Sequence, residues 1–469
     1  MPLFGTRGAA SVTGFGGLAK LGYLLRNSLR FRASNSNTLS RTPASAGNRK
    51  TWTMSFWFKR GRLSATASAH GIMGCYAGVN NDSNNFEFRF TSSDTLNVVL
   101  WDAGAISNAV FRDPAAWYHI VLVLDTTQAG TSSGSKVKLY VNGVLQSWAS
   151  DSISSGISQD ADLIWNSTTT QFLGRWQASD GGNYFLDGYM AEVNFVNGQA
   201  LTPSSFGKTD AVTGQWIPIK YSGTYGTNGY YLPFTNTTST STLGNDFSGN
   251  GNTWTVNNFS LTTGTTYDSM TDVPTLTSTT AANYCVLNPL EKNGGSVVDG
   301  NLNFTNGSAT SYMVGSTIVP TGLCYAEFQP TGWGNGNNIV GLRTNLGASN
   351  SIISASGGVA YDLRYGTVAF NGTTQATYTT ATGTSNVAML AYDPSSGKLW
   401  FGLDGTWFNS GNPAAGTGQV YTITTPTDAW RIFVQSWDAT NAMSANFGQR
   451  PFAYTPPSGF KSLNTFNLP

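Results

Sequence analysis

The stretch WYHIVLVLDTTQAGTSSGSKVKLYVNGVLQ, residues 117–146, decides the fold class of this chain. Apolar residues fill HIVLVLD (119–125) and recur in KVKLYVNG (136–143), on either side of a Gly- and Ser-rich loop. Apolar runs of this length, bounded by turn residues, are typical of β-strands. The Asn-Gly pair that ends the second run favours a tight hairpin turn. The stretch therefore predicts an antiparallel β-hairpin.

The same pattern extends over the rest of the chain. In TWTMSFWFKR (51–60), large apolar residues alternate with other residues, which indicates a strand with one face in a core. Further strands are predicted at FEFRF (86–90), TLNVVLW (95–101) and GYMAEVNFVNG (188–198). Helical periodicity is almost absent. Many short strands separated by turns predict an all-β protein with two antiparallel β-sandwich, jelly-roll-like domains.

The chain length of 469 residues fits more than one domain. Residues 387–407, VAMLAYDPSSGKLWFGLDGTW, repeat the hairpin pattern of the opening stretch, so each half is expected to hold one sandwich. An irregular Thr/Ser/Gly-rich segment separates the halves. The predicted organisation is an N-terminal anchoring arm over 1–27, a sandwich over 28–207, a connecting region over 208–284 and a second sandwich over 285–469.

Composition narrows the function classes. The formal net charge is +1 and only 10% of the residues are charged, against about 25% in a typical domain. Lys and Arg form no cluster of the kind that binds phosphates, so a nucleic-acid partner is not expected. No apolar run approaches about 18 residues, so no membrane span is expected. The three cysteines are far apart and are interpreted as buried thiols.

Several blocks of the first half resemble laminin G-like, concanavalin A-like jelly rolls. The resemblance covers about residues 28–207. It rests on five blocks: NSLRF (27–31), TWTMSFWFKRG (51–61), AWYHIVLVLDTT (116–127), KVKLYVNGVLQ (136–146) and FLDGYMAEVNFVNGQALTPSSFG (185–207). The resemblance implies a lectin-like sandwich whose strands carry the fold and whose loops hold any ligand site.

The second half resembles a SPRY domain. The resemblance rests on CYAEF (324–328), IVGL (339–342), GKLWFGLDGTWFNSGNP (397–413) and NFGQRPFAYTPPSGFKSL (446–463). CYAEF departs from the family pattern because no Trp precedes its Tyr. The order of all blocks is similar to that in tail-fibre-type virion proteins of marine bacteriophages. This similarity implies a homo-oligomer on the virion, attached to other virion proteins through the N-terminal arm.

Catalysis is not expected. Glucanases with a concanavalin A-like fold need two carboxylates on one strand, in the pattern E-x-D-x-x-E. The corresponding positions here are Glu192, Asn194 and Asn197, so a single carboxylate would have to perform both roles. His119 is interpreted as a structural strand residue, since no nucleophile motif such as GxSxG accompanies it. A polysaccharide depolymerase that uses an Asp pair brought together by the fold is kept as the less favoured alternative.

Sugar recognition needs an aromatic face for the C–H side of the ring and planar polar groups for the hydroxyls. Candidate carbohydrate- or receptor-binding residues lie in loops or at strand ends: Trp101, Asp102, Trp176, Asp180, Asn183, Tyr184, Trp333, Asn337, Trp437 and Asp438. The competing interpretation is that each Trp packs a sandwich edge or a subunit interface. Asp82, Asp102 and Asp180 are candidate calcium ligands, but no DxDxDG-like run accompanies them, and no cofactor is expected.

These observations favour a structural virion protein, a tail or fibre appendage that binds a host-surface glycan or receptor without catalysis. A capsid-decoration or architectural protein without a ligand is the alternative, because uncharged, aromatic-rich surfaces also suit subunit interfaces.

Overall fold

The computed structural model describes residues 22–63, 70–78, 85–101, 103–177, 182–344 and 357–468. These residues divide into two compact units. The first unit comprises residues 25–274 and 298–301, and the second comprises 22–24, 275–297 and 302–468. The predicted N-terminal arm lies outside the described residues up to position 21, and residues 22–27 form neither helix nor strand.

Two sheets build the first unit, with strands numbered along the chain. In the described ranges, the first sheet has the order β10 (Val144–Leu145), β9 (Val137–Val141), β8 (Trp117–Asp125), β3 (Thr51–Arg60), β15 (Gly188–Asn197), β1 (Ser28–Phe31) and β20 (Ser269–Met270), and β18 (Tyr230–Leu232) also pairs with β15. The second has the order β11 (Trp148–Asp151), β7 (Ala103–Val110), β6 (Thr95–Leu100), β5 (Asn85–Phe90), β4 (His70–Tyr76), β12 (Gln171–Leu173), β2 (Thr38–Arg41) and β19 (Thr255–Asn257).

Smaller elements complete the first unit. Two hairpins are formed by β13 (Arg175–Gln177) with β14 (Asn183–Phe185) and by β16 (Gly207–Thr209) with β17 (Trp216–Pro218). A single-turn helix, α1, spans Ile153–Gly156, and 3-10 turns occur at Ala33–Asn35, Pro203–Ser205 and Thr240–Gly244. Among the described residues, no helix has the length and apolar character that a membrane crossing requires.

The strand β3 shows how the alternating pattern becomes a core. Four of its large apolar side chains enter the main core cluster, Trp52, Met54, Phe56 and Phe58, whereas Trp57 packs against His119 on the opposite face. The opposite face is buried too, although alternation predicts only one buried face. There Phe206 and Tyr221 pack on Val121 and Val123 of the adjacent strand β8. The second layer comes from a distant part of the chain, which the local pattern of β3 does not reveal.

Buried ion pairs attach residues 208–274 to the first unit. Asp268 accepts hydrogen bonds from the guanidinium groups of Arg30 and Arg32, at 3.2 and 2.8 Å for the two Nε atoms. Lys59 donates to Asp272 at 2.7 Å, and both side chains are fully buried. A buried charge is tolerated only when it is paired, so Arg30 in β1, Arg32 just after it and Lys59 in β3 require the later segment. Most of the predicted connecting region therefore lies within the first unit, where it supplies β16 to β20.

The second unit also contains two antiparallel sheets. In the described ranges, one has the order β21 (Leu287–Lys292), β24 (Ser311–Ser316), β34 (Arg431–Trp437), β26 (Asn338–Arg343), β27 (Gly358–Asp362), β28 (Thr367–Phe370) and β29 (Thr373–Thr377). The other has the order β22 (Ser296–Val298), β23 (Asn303–Thr305), β35 (Ala442–Asn446), β25 (Cys324–Gly332), β30 (Ala388–Asp393), β31 (Lys398–Leu403) and β32 (Thr406–Trp407), with β33 (Tyr421–Thr422) paired to β31. Phe408–Ser410 and Pro413–Ala415 form 3-10 turns.

Equivalent turns close a hairpin in each unit. Asn142 and Gly143 have φ values of 49° and 81°, and Asp404 and Gly405 have values of 49° and 84°. Positive φ at both central positions matches the twist of an antiparallel hairpin, which explains why Asn-Gly and Asp-Gly occur there. The three cysteines are buried and free, as predicted. The predicted all-β fold of antiparallel sheets is confirmed.

Candidate functional site

Four loops of the second unit meet around Trp437. They comprise residues 306–310, 332–337, 362–366 and 437–441, and together they are called the Trp437 rim. Each loop follows a strand: β23, β25, β27 and β34, respectively. The rim brings the predicted residues Trp333 and Asn337 together with Trp437 and Asp438. The two pairs are separated by about 100 residues in the sequence.

Hydrogen bonds join these loops to one another. The backbone oxygen of Asn337 accepts from the backbone N–H of Trp437 at 2.9 Å and from the amide of Asn441 at 3.1 Å. The amide of Asn306 donates to the backbone oxygen of Ser436 at 3.0 Å, where β34 ends. Gly336 permits the close approach, because a Cβ at this position would collide with the backbone oxygen of Trp437. The loops are therefore held together before any ligand arrives.

A buried carboxylate supports two of the loops from below. Asp362 accepts from the Asn337 amide at 2.5 Å and from the backbone N–H of Arg364 at 2.9 Å. Burial raises the pKa of Asp362 to about 6, although these hydrogen bonds act in the opposite direction. Arg364 in turn donates from Nη1 to the backbone oxygen of Gly334 at 2.5 Å. Asp362 and Arg364 thus fix the position of the neighbouring residue, Tyr365.

Large aromatic side chains are exposed on the rim. Trp437 is 50% exposed and Tyr365 is 56% exposed, whereas Trp333 is half-buried. The indole Nε1 of Trp437 donates to the backbone oxygen of Ala309 at 2.6 Å, which fixes the ring orientation. An exposed indole in one fixed orientation offers an apolar platform without a further entropy cost on binding.

Asp438 adds a carboxylate beside this platform. Its backbone φ is 108°, and its Oδ1 accepts from the backbone N–H and the hydroxyl of Thr440 at 2.9 and 2.8 Å. These bonds, the backbone bond first, lower the pKa of Asp438. Its Oδ2 accepts from the backbone N–H of Asn335 at 3.3 Å. Asp438 is therefore ionised at neutral pH and connects two of the rim loops.

The candidates in the first unit are arranged differently. The Trp176 ring stacks on Tyr184 with centroids 4.5 Å apart, and the guanidinium carbon of Arg89 lies 4.4 Å from its centroid. Trp176 is only 7% exposed, so it offers little free ring face to a ligand. Asn183 is exposed at the start of β14, and Trp101 is half-buried against the main core at a φ of 55°.

Three of the predicted residues are acidic candidates for binding calcium. Asp82, Asp102 and Asp180 lie outside the described residues. Within the residues that are described, no group of three or more His, Cys, Asp or Glu side chains could hold a metal ion. A calcium site at these positions stays a prediction.

His119 is held in a buried cluster of neutral partners. Its Nδ1 accepts from the indole Nε1 of Trp216 at 2.9 Å, and its Nε2 lies 2.9 Å from the hydroxyl of Ser55. Burial lowers the pKa of His119 to about 3, so the ring is neutral. Since Nδ1 accepts a hydrogen bond, the proton resides on Nε2 and points at Ser55. His119 in this tautomer cannot act as the base that activates that serine.

Glu192 is the acidic residue of β15, the strand that the sequence pattern compares with the carboxylate-bearing strand of glucanases. It lies in a bulge of β15 with a φ of 54°, and its Oε2 accepts from the Tyr231 hydroxyl at 2.8 Å. Asn194 accepts from the Tyr225 hydroxyl at 2.7 Å through its amide oxygen. Both side chains are buried. Substrate would therefore have to displace tyrosines of the chain itself to reach Glu192.

Several residues of the rim are not among the candidates predicted from the sequence. Asp362, Arg364 and Tyr365 lie in DLRYG (362–366), and Asn441 follows Asp438 by three positions. An Asp at a strand end and a Gly four positions later are a turn signal. That signal could have located the loop, but it does not show that the loop adjoins Trp437.

The solved structures that resemble parts of this chain include the following three, each of which aligns with about a third of it. The SPRY domain of human HERC1 has a TM-score of 0.29 and 14% identity, covering 34% of this chain and 96% of that domain. The CBM40 of Ruminococcus gnavus IT-sialidase, bound to α2,3-sialyllactose, has a TM-score of 0.27 and 12% identity, covering 38% of this chain and 94% of that chain. Tailspike protein 2 of Escherichia coli O157:H7 bacteriophage CAB120 has a TM-score of 0.27 and 12% identity, covering 38% of this chain and 23% of that chain.

A search of curated protein sequences finds no significant match. A family model does match part of the first unit. It covers residues 33–206 and describes the concanavalin A-like lectin/glucanases superfamily, in its laminin G-like form. This range agrees with the resemblance drawn from the strand blocks over residues 28–207. Residues 33–206 therefore form a domain similar to concanavalin A-like lectins and glucanases.

Proposed function

We propose that this chain is a structural virion protein that binds a glycan on the host surface through the Trp437 rim, without catalysis. The observation that carries the proposal is the half-exposed Trp437 indole, fixed in orientation by its bond to Ala309. A sugar ring can stack its C–H face on such an indole.

The rim supplies the polar groups that a sugar also needs. Asn335 is exposed beside Asp438, and amide and carboxylate groups are planar partners for hydroxyls. Because the loops are already cross-linked, binding does not have to order them, and less of the interaction free energy is lost. A second exposed ring, Tyr365, lies in another loop of the same rim.

The virion assignment rests on the order of the sequence blocks, which is similar to that of phage tail-fibre-type proteins. In this proposal the N-terminal arm, residues 1–27, attaches the chain to other virion proteins, and several copies form a homo-oligomer. The lectin-like first unit and the second unit then face outwards. Because a fold alone does not fix function, the glycan-binding role depends on the residues of the Trp437 rim.

A glycan array tests this proposal directly. The wild-type protein should bind a defined subset of glycans, and Trp437→Ala should lose that binding. Phe247→Ala is the matched control, because Phe247 is 49% exposed but lies in the first unit. Equal binding by wild type and Trp437→Ala would remove the rim from the proposal.

Cryo-electron microscopy of the intact particle tests the virion role. Density for this chain at the tail, with Trp437 free, is the expected result. Density on the capsid, with Trp437 buried against a neighbouring subunit, would favour a capsid-decoration protein without a ligand.

A further inference from the structure

The charges of the Trp437 rim point to a class of sugar. Its four loops contain one basic residue, Arg364, and two acidic residues, Asp362 and Asp438. Asp438 is ionised at neutral pH because hydrogen bonds from Thr440 stabilise its carboxylate. With both carboxylates ionised, the rim carries an excess of one negative charge.

Arg364 does little to attract an anionic ligand to this negatively charged rim. Its Nη1 is committed to the backbone oxygen of Gly334. Its positive charge acts on both carboxylates, since it lowers the pKa of Asp362 and of Asp438. The two carboxylates therefore already balance the positive charge of Arg364. A sugar carboxylate or sulfate placed on the rim would be repelled by these carboxylates, and like charges at close range disfavour binding.

The remaining groups suit uncharged hydroxyls. The side-chain amide of Asn335 is exposed and makes no hydrogen bond to any other described residue. An amide can donate to one hydroxyl and accept from another. The exposed rings of Trp437 and Tyr365 are apolar platforms that do not depend on ligand charge.

We infer that the Trp437 rim selects uncharged sugar residues over acidic ones. This inference rests on the proposed glycan-binding function and specifies the class of ligand. It concerns the terminal sugar in contact with the rim, whatever the rest of the host polysaccharide carries.

Matched glycan pairs test the inference. The full-length protein is titrated with a neutral oligosaccharide that binds on the array and with its sialylated, uronic-acid or sulfated counterpart. The acidic member should bind at least about 10-fold more weakly at 150 mM salt. The affinity of the neutral member should change by less than about twofold between 50 and 500 mM salt, because no charge is neutralised on binding.

A substitution that removes one charge and nearly keeps the side-chain shape provides the second test. Asp438→Asn removes one negative charge from the rim and keeps the shape of the side chain. It should narrow the ratio of neutral to acidic affinity by about threefold or more. Asp428→Asn is the control, because Asp428 is exposed and precedes β34, whereas the rim lies after the other end of that strand. This control should leave the ratio unchanged.

The outcomes separate the two proposals. Tighter binding of the acidic member, or a ratio that Asp438→Asn does not move, would overturn the inference while glycan binding at the rim stands. Absence of binding to every glycan of either class would overturn the proposed function itself.

Discussion

Removal of the Trp437 side chain is the most informative single perturbation. A fully covered Trp side chain buries up to about 250 Å², and Trp437 is 50% exposed, which leaves roughly 125 Å² free for a ligand. A sugar that covers about half of this area gains about 1.5 kcal/mol at about 25 cal/mol per Å². That free energy corresponds to a change in Kd of about tenfold.

We therefore expect Trp437→Ala to raise the Kd for an array-identified glycan about tenfold in isothermal titration calorimetry. The variant also loses the hydrogen bond to Ala309, which costs about 1 kcal/mol of unfolding free energy, so the fold should persist. Trp437→Phe keeps an aromatic face but loses this bond, and should raise the Kd by less than Trp437→Ala does. Phe247→Ala should leave the Kd unchanged. A Kd for Trp437→Ala within twofold of the wild-type value would refute the stacking argument.

Three further predictions concern stability and chemistry. Burial lowers the pKa of His119 from 6.5 to about 3. Between these two pH values, only the unfolded chain takes up this proton. The unfolding free energy therefore falls by about 1.4 kcal/mol for each unit by which the pH is lowered below 6.5. His119→Gln should reduce that slope when urea unfolding is compared at pH 7.5 and 5, and an unchanged slope would contradict the assignment. Asp268→Asn leaves Arg30 and Arg32 buried without their counter-charge and should lower the unfolding free energy by about 3–5 kcal/mol; a loss below about 1 kcal/mol in urea unfolding would show that the cluster is not needed. Wild type and Glu192→Gln should both release no reducing sugar from host polysaccharide; release by both would support the depolymerase alternative that uses an Asp pair, and release by wild type alone would show that Glu192 is catalytic.

The strands could be predicted because their signals are local. Residues 51–60 alternate between core and opposite face, and the strand β3 has these bounds. Asn142-Gly143 and Asp404-Gly405 mark hairpin turns because their backbones adopt positive φ. Each of these signals lies within a few residues of the feature that it predicts.

The second buried face of β3 could not be predicted in the same way. Lys59 resembles a solvent-facing residue in the alternating pattern, but Asp272 pairs with it from 213 positions away. The composition of residues 208–274 resembles that of a linker, since Thr, Ser, Gly and Asn are common there. The role of this segment in the first unit depends on a few residues, such as Asp268, whose partners are remote in sequence.

Only part of the candidate site could be predicted, again because the deciding contacts come from residues that are remote in sequence. Trp176 and Trp437 look alike in sequence, since each lies at a strand end beside a polar loop. Arg89 and Tyr184 cover the first, whereas half of the second stays exposed. Exposure depends on what the rest of the fold places against each ring, and the local pattern does not contain that information.

The most direct test of the central claim is an NMR titration of the tryptophan indole N–H groups. The chain has 14 tryptophans, and the Trp437 signal is assigned by its loss in Trp437→Phe. Trp176→Phe assigns a second signal that serves as an internal reference. An array-identified neutral glycan should shift the Trp437 signal in a saturable way and leave that of Trp176 in place. A saturable shift of Trp176 or of other indoles, with Trp437 unmoved, would contradict glycan binding at the rim.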